Sequence, residues 1–241
     1  MNEAKLHKEG KWLFFDKEYI AEFVYGGIDG SITTFAVVAG AAGANADIRW
    51  VLIFGFANLI ADGFSMSVGN YFSSKAALDN YDKHEAVEYW EIEHLREKEI
   101  EEVREIYEAK GFKGKLLDDV VETIISDKKV WVDTMMKEEL EMTRESKSPL
   151  STAIATFISF NIVGFIPLVV YVIAMFTDVN PSALFPISCV GTGLSLILVG
   201  YLRGVVTNIN KMKSIIQTLA LGGLAAAFAY FVGEVLAKWI L

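Results

Sequence analysis

The chain has 241 residues, of which 53% are hydrophobic and 22% charged, and its formal charge is −9. That mixture fits a single globular class poorly unless the charges are segregated, and residues 79–147 carry 21 Asp and Glu against 12 Lys and Arg while the remainder carries 10 of each. An acidic surplus confined to one segment excludes nucleic acid as the partner there and points to cations, and the single cysteine, Cys189, excludes an intrachain disulfide framework and argues against a Cys-based metal site.

Residues 1–19 read as a polar tail in which Lys5, Lys8, Lys11 and Lys17 balance Glu3, Glu9, Asp16 and Glu18. They lack the short apolar core and small-residue cleavage site of a secretory signal. Crossing the hydrocarbon layer takes about 20 mostly apolar residues, and five stretches qualify, at about 20–44, 50–74, 150–176, 183–205 and 215–240. Short turns at Asn45-Ala-Asp47 and Asp178-Val-Asn-Pro181 make hairpins of the first pair and of the third with the fourth. Gly26, Gly27 and Gly30 in the first span and Gly222 and Gly223 in the fifth permit close helix contact. Between the second and third spans the Glu/Lys-rich segment predicts a helix over about 76–110, a break at Lys110-Gly-Phe-Lys-Gly114, and helices at about 115–126 and 128–146. The expected architecture is an all-α polytopic membrane protein: a tail at 1–19, transmembrane helices 1 and 2 in 20–75, an acidic three-helix metal-binding domain at 76–148, and transmembrane helices 3 to 5 in 149–241.

Lys and Arg accumulate on the cytoplasmic side of membrane proteins. With the N-terminus inside, only Arg49 and Lys238 fall outside, whereas Arg203, Lys211 and Lys213 join the tail and the acidic segment within. The tail and the acidic domain are therefore expected to be cytoplasmic, in a prokaryotic plasma membrane or a vacuolar membrane.

Ionisable residues within the bilayer are costly and mark a partner, a cavity or an ion path. Glu22 and Asp29, seven apart, share a helix face with Thr33, while Asn58, Asp62, Met66 and Asn70 recur every fourth residue in the second span. At about 1.5 Å per residue, Asp29 and Met66 sit at nearly the same depth, about 12–14 Å in. A carboxylate beside a thioether suits a borderline ion such as ferrous iron better than magnesium or calcium. The plainer alternative is a packed Met66 with interhelical hydrogen bonds from the aspartates. In the acidic segment Glu88 and Glu91 form one i, i+3 pair and Glu99 and Glu102 another, eleven residues on, so a continuous helix would turn all four one way. Bound metal would relieve their repulsion, with Met135, Met136, Glu138 and Glu139 brought across by the last helix; a solvated charged face is the alternative. Glu91-x-x-His94 invites a di-iron oxidase reading, but the second such motif is missing. Without a Walker-type loop or a nucleophilic triad, no enzyme and no prosthetic group is expected.

The runs Tyr25-Gly-Gly-Ile-Asp-Gly-Ser-Ile-Thr-Thr-Phe-Ala36, Gly55-Phe-Ala-Asn-Leu-Ile-Ala-Asp-Gly-Phe-Ser-Met-Ser67 and Trp131 through Met-Met-Lys-Glu-Glu-Leu140 resemble the vacuolar iron transporter family over nearly the whole chain. The resemblance implies a homodimer in the lipid bilayer, with a path between the first two helices of each subunit, that exchanges ferrous iron or manganese for protons. It assigns the path to Asp29 and Met66 with Glu22 below them, and cytoplasmic metal binding to Glu88, Glu91, Glu99, Glu102, Met135 and Glu139. Asn58 stands where some members have Glu, and Met136 where a carboxylate can occur. A membrane-anchored metal sensor or adaptor without transport is the competing expectation.

Overall fold

The computed structural model describes residues 19–240, so the expected tail, apart from Tyr19, lies outside the described residues. The described residues form nine helices: α1 (Ile20–Gly43), α2 (Ile48–His94), α3 (Arg96–Ala109), α4 (Lys115–Ile125), α5 (Lys128–Glu138), α6 (Pro149–Gly164), α7 (Ile166–Ala174), α8 (Pro181–Val206) and α9 (Lys211–Ile240). Four of them, α1, α2, α8 and α9, are long and apolar enough to cross a membrane, and α6 with α7 makes a fifth if that bent pair is one span. The described residues fall into two compact units, one of residues 19–71 with 147–240 and the other of residues 72–146.

In the first unit α1 is the central helix, packing against α6, α8 and α9. Its small residues permit this. A Cβ on Gly164 of α6 would lie 2.7 Å from the Gly30 carbonyl oxygen, and one on Gly30 would lie 2.9 Å from the Phe160 Cα, so the two backbones are in direct contact. Toward its other end α1 meets α9 in the same way, through Gly40 and Gly233. Phe35, Val38, Leu59, Phe160, Leu168 and Leu184 fill the space between the helices. Buried hydroxyls pair across it: Ser31 with Ser195 at 3.0 Å, and Ser188 donating to the Pro167 carbonyl at 2.7 Å. Many large apolar side chains point outward, among them Phe54, Ile60, Phe64, Leu224, Phe228 and Phe231, as expected of helices bathed in lipid.

The third predicted span, 150–176, is broken. Gly164 closes α6, Phe165 links the two helices, and the axis turns by 48° into α7, where Pro167 lies in the first turn and has no amide hydrogen to continue the ladder.

The second unit differs from expectation at two places. The predicted helix at 76–110 is not one element: α2 runs unbroken from the apolar region to His94, and the chain then kinks at Leu95 (φ −123°, ψ 29°) before α3. No helix breaker stands there. The cause is tertiary, since the kink lets Ile92 and Val103 enter one apolar cluster with Leu117, Val121, Trp131 and Met135. The helix predicted at 128–146 stops at Glu138, because Glu141 is left-handed (φ 52°) and the Met142 amide returns to the Met136 carbonyl at 2.8 Å. Asp127 caps α5 by accepting from the Lys129 and Val130 amides at 2.8 and 3.2 Å.

Gly30→Ala and Gly164→Ala are expected to cost about 1–3 kcal/mol each by overpacking, whereas Gly69→Ala, with nothing within 4 Å of its Cβ position, is neutral or mildly stabilising. Thermal melts of the detergent-solubilised protein check this, and equal melting temperatures for all three would refute the close contact.

Candidate metal centre and membrane path

Beyond the Leu95 kink α3 brings Glu99 back onto the last turns of α2. Glu88, Glu91 and Glu99 each offer an oxygen, and the three oxygens lie within 4.8 Å of one another. Glu88 is only 3% exposed and Glu99 1%, and each has a buried Oε2 without a hydrogen-bond partner. Burial, then the charges of Glu139, Glu91 and Glu102, pushes the Glu88 carboxyl from its ordinary 4.5 up to about 7, against weaker relief from Lys98. Glu99 is also pushed up, first by burial and then by the charge of Glu102, with Glu88 and Glu91 adding to it. Partial desolvation raises Glu139 as well, followed by Glu102 and Glu91. Such a group has two ways to shed its repulsion: it holds protons, or it holds a cation.

The remaining residues of the expected set part company. Glu102 interacts with Glu99 but is itself paired to Lys98 at 2.7 Å. Glu139 lies close enough to act on Glu88, whereas its neighbour Glu138 is ion-paired with Lys110. Met135 and Met136 are fully buried in the apolar cluster beside Trp131, whose ring carries Arg96 at 4.9 Å. His94 is exposed, with Nδ1 2.8 Å from the Trp90 carbonyl and its ring stacked on that indole, so Glu91 finds its neighbours in Glu88 and Glu99 rather than in the Glu-x-x-His motif.

In the first unit, Asp29 on α1 is half-buried and lies near enough to the exposed Asp62 of α2 for the two charges to repel. Thr33 donates to the Asp29 backbone carbonyl at 2.9 Å. Asn58 has a buried Nδ2 without a partner, Met66 packs on the apolar core, and Asn70 donates to the Thr156 hydroxyl at 2.7 Å. The four-residue stripe of α2 therefore does three things at once: Asn70 and Met66 pack, Asp62 is exposed, and Asn58 stands unsatisfied. Glu22, in the first turn of α1, accepts from Lys147 at 2.8 Å. Sequence reasoning missed Lys147; the available signal was a cation immediately before a predicted span, near a carboxylate otherwise alone in an apolar helix.

Apolar helices long enough to span a bilayer, with buried carboxylates only weakly relieved by Lys98 in a separate acidic unit, define a helical membrane protein with a cluster compatible with metal binding. The chain belongs to the VIT family, whose sequence model matches residues 20–234. It is 33% identical to the vacuolar iron transporter of Toxoplasma gondii, over 91% of this chain and 74% of that protein. It is also 33% identical to vacuolar iron transporter 1 of Eucalyptus grandis, over 93% and 88%, and 31% identical to vacuolar iron transporter 1 of Arabidopsis thaliana, over 90% and 86%. The resemblance read from the three sequence runs thus holds across the chain, and it places the chain in a family of transporters rather than enzymes.

Glu88 has a higher proton affinity in the folded state than in the unfolded one, so its stabilising contribution is complete below about 4.5 and is lost as pH rises through about 7. Metal-free protein is expected to melt at lower temperature as pH rises through that window, with Glu88→Gln flattening the slope and manganous ion restoring stability at the alkaline end. A melting temperature indifferent to pH in both proteins would contradict the assignment.

Proposed function

We propose that the chain transports divalent transition metal, with ferrous iron as its main substrate and manganese as a second, out of the cytoplasm in exchange for protons. The single observation that carries this reading is the cluster of Glu88, Glu91 and Glu99, whose oxygens converge and in which the buried Glu88 and Glu99 each keep an Oε2 without a hydrogen-bond partner, in a chain related to proteins named vacuolar iron transporters. In the proposed arrangement five spans, with α6 and α7 as one, put the N-terminus and the acidic unit on the cytoplasmic side. The acidic unit gathers ions there through Glu88, Glu91, Glu99, Glu102 and Glu139, with thioether help from Met135 and Met136. Glu138, held by Lys110, contributes field rather than a ligand.

From there the ion enters past Glu22 and reaches Asp29 and Met66, with Asn58 and Asp62 along the same path. Proton return protonates a path carboxylate and releases the ion, since cation and proton compete for the same oxygen. Two copies assemble through an exposed apolar face of α2 that includes Phe54, Ile60 and Phe64. The relatives' names favour a vacuolar membrane as the setting.

Ferrous iron uptake into proteoliposomes with an imposed pH gradient tests the reading. The intact protein is expected to give gradient-dependent flux that Asp29→Asn and Met66→Ala each reduce about tenfold or more, a loss of roughly 1.4 kcal/mol. Metal binding without flux would favour a membrane-anchored sensor instead.

A further inference from the structure

We infer that Lys147 is a built-in, singly charged stand-in for the transported ion, seated on Glu22 until a divalent cation displaces it, and that this exchange lets the entry carboxylate discriminate by charge. The inference rests on the transport reading and deepens it.

The geometry is specific. Glu22 lies in the first turn of α1 with its side chain 14% exposed, and its Oε1 accepts from the Lys147 ammonium at 2.8 Å. Its other oxygen, Oε2, is buried and has no hydrogen-bond partner. A carboxylate withdrawn this far from water is costly unless both oxygens are served, yet only one is. Lys147 itself is 31% exposed and sits in the segment just before α6, where a flexible stem lets its head group leave without disturbing either helix.

Residue type matters here. An arginine fork would engage both oxygens and close the vacancy, whereas an ammonium is a compact point charge that takes one. Because it is tethered, Lys147 is always at hand as a competitor. A free monovalent ion brings the same charge and gains nothing by replacing it. A divalent ion brings twice the charge and has the unpartnered Oε2 to take as well. Lys147 is therefore a specificity-determining residue, with Glu22 as the group it guards.

The test is ferrous iron flux into proteoliposomes at a fixed pH gradient, with and without competing sodium, for the unaltered chain, K147M, K147R and E22Q. K147M is expected to lower KM about tenfold with kcat little changed, and to make flux sensitive to sodium. K147R is expected to raise KM, because the fork fills both oxygens, and E22Q is expected to raise it too. A purely structural ion pair predicts instead that K147M and E22Q shift KM and melting temperature together in one direction, and that K147R resembles the unaltered chain; that result overturns the inference. If K147M does not yield monodisperse protein, K147R carries the test, a raised KM supporting the inference and an unaltered KM refuting it. Absence of flux in the unaltered chain overturns the transport reading and this inference with it, whereas flux whose KM ignores Lys147 overturns this inference alone.

Discussion

Carboxylates withdrawn from water without a matching positive charge are the constraint around which the site is organised. Removing one ionised carboxylate from water costs several kcal/mol even after relaxation, and the acidic unit does this with Glu88 and Glu99 while bringing Glu91 and Glu139 within range. A fold optimised only for stability would pair them, as it pairs Glu138 with Lys110, Asp82 with Arg144 and Asp118 with Arg104. The unit has cations to spend and spends them on its periphery. On the proposed reading, the repulsion left at its centre is relieved by protons in the metal-free state and by a dication in the loaded one.

The first unit meets the same cost differently. Its carboxylates are sparse and set on helices held at backbone contact by small residues, above all Gly30 against Gly164 and Gly40 against Gly233. Dispersion contacts and interhelical hydrogen bonds, not a hydrophobic drive, hold helices together in lipid, so a tightly held α1 fixes where Glu22 and Asp29 stand. Glu22 borrows a tethered ammonium, Asp29 and Asp62 face each other's repulsion, and Asn58 keeps an unsatisfied amide. In the proposed path, groups that are only partly satisfied would bind an ion without trapping it.

Much of this was legible in the sequence for simple reasons. Long apolar runs and a segregated block of charge survive any folding detail, so the helical class and the separate acidic unit could be read directly. The sequence pattern set Glu88, Glu91, Glu99 and Glu102 in a row along one face of a continuous helix, whereas a kink at Leu95 instead brings Glu99 back beside Glu88 and Glu91. Nothing in Glu-His-Leu-Arg announces that kink, because it is set by the burial of Ile92 and Val103 in a shared cluster. The differing fates of Glu138 and Glu139, adjacent in sequence, depend on where Lys110 falls, and the pairing of Lys147 with Glu22 spans 125 residues. Local pattern carries no information at that separation.

The central claim is that the buried carboxylates exchange protons for a divalent cation. Its most direct test is calorimetry of manganous ion binding to the detergent-solubilised chain in buffers of different ionisation enthalpy, which counts the protons released. The account predicts proton release on binding near pH 7, fading toward zero as the solution becomes alkaline enough to have ionised Glu88 and Glu99 beforehand. Binding that releases no protons near pH 7 would contradict it.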